Sequence, residues 1–140
     1  MNYTELHCHS YYSFHDGASS LEELMVRAKE LGYHSLAITD HDNLCGAMRF
    51  AHLAKSLELH GIIGTEITLR DGHHLTLLAK DRHGYANICR IITEAHASGE
   101  RNKPELPPER FECRQPCLRY HPRGTGTPRS TRGPGAIGPP

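Results

Sequence analysis

Two absences divide this chain before any motif is read. It has no proline before Pro104 and no acidic residue after Glu112. Other absences exclude whole classes. No run approaches the roughly 20 apolar residues that a membrane-spanning helix needs. Met1-Asn2-Tyr3-Thr4-Glu5 lacks the basic and apolar regions of a secretory signal. The five cysteines, an odd number without the spacing of a secreted scaffold, point to reduced thiols in a cytoplasmic protein.

What is present falls into two unlike regions. The formal charge is zero, yet residues 1–112 carry 11 Lys+Arg against 16 Asp+Glu, and residues 113–140 carry five arginines and no acid. A neutral total built from opposite halves marks a boundary. The length of 140 residues suits one domain with a modest core. Histidine is abundant, and eleven of the twelve precede residue 97.

The periodicity of residues 3–97 predicts an alternating order. Tyr3 to His9 reads as a short first strand and Ser10 to Gly17 as a loop. Ser20 and Glu23 form a capping box for a helix whose apolar positions are Leu21, Leu24, Met25, Ala28 and Leu31, stopped at Gly32. Ser35 to Thr39 is a buried strand, and Leu44 to Leu57 returns to helical period. Gly61 to Leu69 and His74 to Ala79 pair antiparallel across the Asp71-Gly72 turn, and a third helix spans about Tyr85 to Ala97. The order β-α-β-α-β-β-α indicates an α/β fold with a largely parallel sheet. In such folds reactive groups collect at the carboxyl ends of strands.

His7 and His9 lie two residues apart on the first of these strands, so both imidazoles face one side. Asp40 and His41 follow the second strand, Glu66 lies on the third, and His74 opens the fourth. Imidazoles and carboxylates converging from strand ends make a donor set for a hydrolytic metal centre, with Zn, Mn, Fe or Mg as the ion. Each residue also has a plainer role. The histidine pair could be polar groups on an exposed edge strand, His41 part of a helix-capping turn, Asp16 half of an Asp-Gly turn and His74 a hairpin-edge residue. An acid within the apolar Ile62-to-Leu69 run needs a partner if buried, which favours a role for Glu66. His15, His73 and His83 read as solvated loop residues, and Cys8 as a buried thiol facing away from the histidines.

Glu5-Leu6-His7-Cys8-His9-Ser10, Phe14 to Ala18, Thr39-Asp40-His41-Asp42, Ile63-Gly64-Thr65-Glu66 and His74 to Ala79, taken in order, resemble the PHP (polymerase and histidinol phosphatase) domain. More narrowly, they resemble the N-terminus of a bacterial C-family DNA polymerase, of the DNA polymerase III alpha subunit type. Leu6 to Ser10, Ala47 to Phe50 and Gly84 to Asn87 lean toward its error-prone branch. The resemblance covers roughly residues 3–97. It implies a distorted TIM-like barrel, of which this chain holds about the first half, and divalent metal ions held by His7, His9, Asp16, His41, Glu66 and His74. Asp40 would be a ligand or a supporting partner. The family's later ligands have no counterpart here.

The resemblance implies a parent protein that performs DNA-directed DNA synthesis in replication and translesion repair, with DNA, other polymerase domains and replisome subunits as partners and no membrane. The polymerase carboxylates lie outside this chain. Two other functions compete: a stand-alone phosphoesterase of the histidinol-phosphatase type, and a non-catalytic metal-binding structural module. Residues 1–99 are therefore expected to form the N-terminal part of the domain. Residues 100–140, rich in proline, glycine and arginine, are expected to form a disordered tail. Its abrupt composition suggests a frameshift near residues 100–113. Cys113-x3-Cys117-x3-His121 supplies only three ligands in a Pro/Gly setting and is not read as a zinc site.

Overall fold

Eight elements follow one another in a computed structural model that describes residues 3–99, 104–106 and 117–120. They are β1 (Thr4–Glu5), α1 (Leu21–Glu30), β2 (Ser35–Ile38), α2 (Ala47–Ser56), β3 (His60–Thr68), β4 (His74–Ala79), α3 (Arg82–Ser98) and β5 (Cys117–Tyr120).

Local chemistry sets the helix ends. The Ser20 hydroxyl accepts from the Glu23 amide at 3.2 Å, and the Glu23 carboxylate accepts from the Ser20 amide at 2.8 Å, so the expected capping box starts α1. Gly32, at φ +73°, takes the left-handed conformation that ends it. α3 begins three residues before the expected Tyr85. Asp81 caps it, its Oδ1 accepting from the amides of His83 and Gly84 at 2.9 Å each. α2 begins later than Leu44, because Asn43 holds the Cys45 amide at 3.0 Å in a turn that precedes the helix.

The strands lie in the order β1-β2-β3-β4-β5. β1 and β2 pair in parallel, as do β2 and β3, whereas β3–β4 and β4–β5 are antiparallel. β3 changes neighbour along its length: His60 to Ile63 pair with β2, and Gly64 to Thr68 with β4. That change of partner curls the mixed sheet into half of a barrel. The helices cover its outer face with two apolar clusters. Leu21, Met25, Ala28, Leu36, Ile38, Phe50 and Ala54 join α1 and α2 to β2. Ile67, Leu75, Leu77, Ile88, Ile91 and Ala95 join α3 to β3 and β4.

The sheet is mixed rather than largely parallel, and three further features depart from the expected outline. β1 holds only two residues, so His7 and His9 lie beyond the strand expected to carry them. Past Glu5 the backbone is tied to β2 by hydrogen bonds instead: Thr39 N donates to Cys8 O at 2.8 Å, and Cys8 N to the Thr39 hydroxyl at 3.1 Å. Leu106, in the stretch expected to lack order, is fully buried in the α3 cluster. Its amide donates to Thr68 O at 3.0 Å and its carbonyl accepts from Arg70 N at 3.2 Å. Cys117–Tyr120 adds β5 along β4, a strand that arginine and cysteine content did not announce. The expected disorder of the remaining tail, the proposed frameshift and the side chains of the Cys113, Cys117 and His121 pattern lie outside the described residues.

Candidate metal centre

Glu66 is the hub. It lies on β3 where that strand has passed from β2 to β4, and its side chain is 5 % exposed. Four imidazoles surround its carboxylate. His7 Nε2 is 2.5 Å and His9 Nε2 3.0 Å from Oε2, with His41 Nε2 at 3.9 Å from the same oxygen. His74 Nδ1 is 3.2 Å from Oε1. Asp16, on the loop after His9, places Oδ2 3.1 Å from His41 Nε2. The rings stack edge to face in a row, His7 on His9, His9 on His41 and His41 on His74, with centroids 4.5 to 5.1 Å apart.

All six residues expected to act as ligands are thus brought together, though His7 and His9 reach the centre from an extended segment rather than from a strand. Their donor atoms form three overlapping triads within 4.8 Å: His7, His9 and Glu66; His9, Asp16 and His41; His41, Glu66 and His74. His15, His73 and His83 are exposed as expected, although His83 lies in the first turn of α3 rather than in a loop. Cys8 packs against the α1–α2 cluster, and burial, with Glu5 and Asp40 nearby, pushes its thiol up to about 11. Packed there, Cys8 belongs to the core and lies outside the donor groups.

The Asp40 carboxylate is taken up by serines rather than by the histidines. Asp40 is 3 % exposed, and its carboxylate accepts from Ser10 N at 2.7 Å, Ser10 Oγ at 2.8 Å and Ser13 Oγ at 2.8 Å. Ser13 Oγ in turn accepts from the His41 amide at 3.0 Å. Asp40 therefore clamps the loop that presents Asp16 to the turn that presents His41. Sequence reasoning missed both serines as its partners. It also missed Asp42, which is buried at φ +50° and accepts from Thr68 N at 2.9 Å and Thr68 Oγ1 at 2.7 Å. The Asp42 carbonyl accepts from His96 Nε2 on α3 at 2.9 Å. A non-glycine residue at positive φ flanking a site is the conformational cost of turning the chain there.

The electrostatics suit a cation. Burial works to raise the Glu66 pKa, but hydrogen bonds from His9 and His7, with the charge of His7 and His41, outweigh it and hold the carboxyl at about 2. His9 is raised, chiefly by its hydrogen bond to Glu66, against the opposing effect of burial. His41 is lowered by burial, which favours the neutral imidazole that metals bind. His7 and His9 also bring two ring nitrogens 2.9 Å apart against one carboxylate oxygen. Ring nitrogens and a carboxylate oxygen crowded this closely are held by shared protons here, and the same imidazole–carboxylate set fits a borderline divalent ion in their place.

Without metal, the sign of the Glu66 shift sets an acid response. Because its folded pKa is depressed, the stability it contributes is complete above the ordinary value of 4.5 and is lost as pH falls toward about 2. The urea midpoint of chelator-treated protein is expected to drop across that window, and by less in Glu66→Gln. An equal drop in both proteins would assign the acid response to other groups.

Comparison with known proteins adds a lineage to this geometry. The family described as PHP domain matches residues 5–123. The chain is 48 % identical over 100 residues to the error-prone DNA polymerase of Symbiobacterium thermophilum, a match covering 71 % of this chain and 9 % of the relative. It is 46 % identical over 99 residues to that of Pseudomonas aeruginosa, covering 71 % of this chain and 10 % of the relative. The chain thus spans about a tenth of the length of the curated relatives it matches. Among solved structures, a protein of Bifidobacterium adolescentis to which a metal-dependent phosphoesterase function has been ascribed superposes with TM-score 0.50 at 26 % identity, over 67 % of this chain and 34 % of the other. An amidohydrolase of Chromobacterium violaceum, with sulfate bound and no metal, superposes with TM-score 0.50 at 29 % identity, over 63 % and 32 %. Among the described residues no helix is long and apolar enough to cross a membrane.

Proposed function

The chain belongs to the PHP-domain family, and on that footing we propose that it supplies the first ligands of a divalent-metal phosphoesterase centre, His7, His9, Asp16, His41, Glu66 and His74. The observation that carries this reading is the convergence of His7, His9 and His41 on a single oxygen of buried Glu66. Zn, Mn, Fe and Mg are all candidates, with the four imidazoles favouring the first three. A bound divalent ion would polarise a phosphoryl oxygen and acidify water.

This chain's own groups do the holding and orienting. His7, His9 and Glu66 form one donor set and His41, Glu66 and His74 another, with His9, Asp16 and His41 between them. Two overlapping donor sets sharing Glu66, with His41 common to two triads, suit adjacent ions rather than one isolated ion. Asp40 and Ser13 tie the loop that carries Asp16 to the turn that carries His41. The relatives are error-prone DNA polymerases of which this chain matches about a tenth. In a protein of that kind the centre would sit beside a polymerase acting on DNA, and DNA, other polymerase domains and replisome subunits are its proposed partners. The 140 residues by themselves are not expected to polymerise nucleotides, and phosphatase and 3′–5′ exonuclease assays on them are expected to be negative.

The test is metal content. Purified protein dialysed against Zn, Mn or Fe is expected to retain bound ion, and the double variant His7→Ala/His9→Ala to retain none. Equal metal in the two proteins would rule out this ligand set.

A further inference from the structure

Thr76 is fully buried, and its hydroxyl is the one buried side-chain polar atom among the described residues with no hydrogen-bond partner. Its place in the sheet is specific. Thr76 stands directly opposite Glu66 in the β3–β4 ladder, and His74, two residues back, stands opposite Thr68. Directly opposed residues, and residues two apart on a strand, share a face. The contact of His74 Nδ1 with Glu66 Oε1 at 3.2 Å shows which face this is. The alternate residues Leu75 and Leu77 turn the other way, into the cluster under α3. Thr76 therefore lies on the inner face of the curled sheet, beside the two ligands that β3 and β4 contribute.

We propose that Thr76 is a positioning residue for the metal centre, its hydroxyl serving to hold the Glu66 carboxylate once a cation has drawn that carboxylate into coordination. This rests on the reading of the six residues as metal ligands. Directly opposed residues carry their Cβ atoms about 5 Å apart, so a carboxylate that swings within the ladder comes into reach of the hydroxyl. Without the cation, Glu66 is occupied by His7, His9 and His74, and the threonine is left over. A buried hydroxyl with no partner weakens the fold that contains it, whereas an apolar isostere in its place does not. The cost is explained if the partner arrives with the ligand, since groups that orient metal ligands from behind set affinity strongly.

The two states of the protein then respond to one substitution in opposite directions. In the full 140-residue chain, Thr76→Val is expected to leave the chelator-treated protein as stable or raise its melting temperature. The same variant is expected to bind Zn or Mn about 10- to 100-fold more weakly, by titration calorimetry. Thr76→Ser, which keeps the hydroxyl, is expected to restore affinity despite the lost methyl. Circular dichroism checks that each variant is folded. Valine and wild-type proteins of equal affinity would overturn the positioning role while leaving the ligand set intact. A serine variant as weak as valine would overturn it too, by assigning the effect to packing. If wild-type protein binds no metal, or binds it equally after His7→Ala/His9→Ala, the ligand reading fails and this inference fails with it.

Discussion

Glu66→Gln is expected to weaken divalent-metal binding by at least about 100-fold, more than the usual loss for a group that only supports a ligand. The change is nearly isosteric, so packing on β3 is preserved and the effect reads the charge. One carboxylate faces His7, His9, His41 and His74 at 2.5 to 3.9 Å. Exchanging an oxygen for an amide nitrogen replaces an acceptor by a donor pointed at imidazole nitrogens, which removes the ligand and crowds its neighbours. Titration calorimetry reads the affinity. Proton NMR of the imidazoles gives a second reading, because His9 owes its raised pKa first to its hydrogen bond with Glu66 and should fall back toward the ordinary value. Unchanged affinity together with an unchanged His9 titration would remove Glu66 from the centre altogether.

Asp40→Ala is expected to act on the fold rather than on the ligands directly, with a loss of about 4 kcal/mol in unfolding free energy. Hydrogen bonds to a charged acceptor contribute about 1.5–3 kcal/mol each, and neighbours are not additive. Here three donors, Ser10 N, Ser10 Oγ and Ser13 Oγ, lose their acceptor in a site that is 3 % exposed. The consequence spreads to metal binding, because Ser13 also receives the His41 amide and the same loop carries Asp16. Urea denaturation measures the first effect and metal retention the second. A loss below about 1 kcal/mol, the range of an ordinary exposed substitution, would show that the clamp does not hold the loop.

These two acids also show how far sequence reasoning reached. Thr39-Asp40-His41-Asp42 is a run of four polar side chains after a buried strand, and spacing alone does not tell which of them turn to the site. His41 does. Asp40 is taken up by serines 27 and 30 residues away, and Asp42 by Thr68, 26 residues away. Such partners are invisible to a local pattern. The devices that were legible are local ones: the Ser20–Glu23 box, the Asp71-Gly72 turn with Gly72 at φ +81°, and the buried run of β2. Long-range features were missed for the same reason. Leu106 is one apolar residue among prolines and charges, and only the fold reveals the gap beside Leu69 that it fills. Asp81 was a legible cap that the apolar period, starting later at Ile88, masked.

The brevity of β1 has a bearing on the lifetime of a bound ion. Two residues of ladder, the Cys8–Thr39 hydrogen bonds and the Ser10–Asp40 clamp hold the segment that carries both His7 and His9. Glu66 and His74 sit instead on a hairpin paired over five residues of each strand or nearly so, under the α3 cluster. The proposed chelate would thus join one jaw on a long ladder to one jaw held by shorter ties. On the proposed ligand set, release of an ion would need the few residues after Glu5 to lift and the Ser10–Asp40 bonds to open, which withdraws two donors together without global unfolding. Exchange of the metal would be governed by that small local opening, and a cation that bridges the jaws would in turn keep it shut.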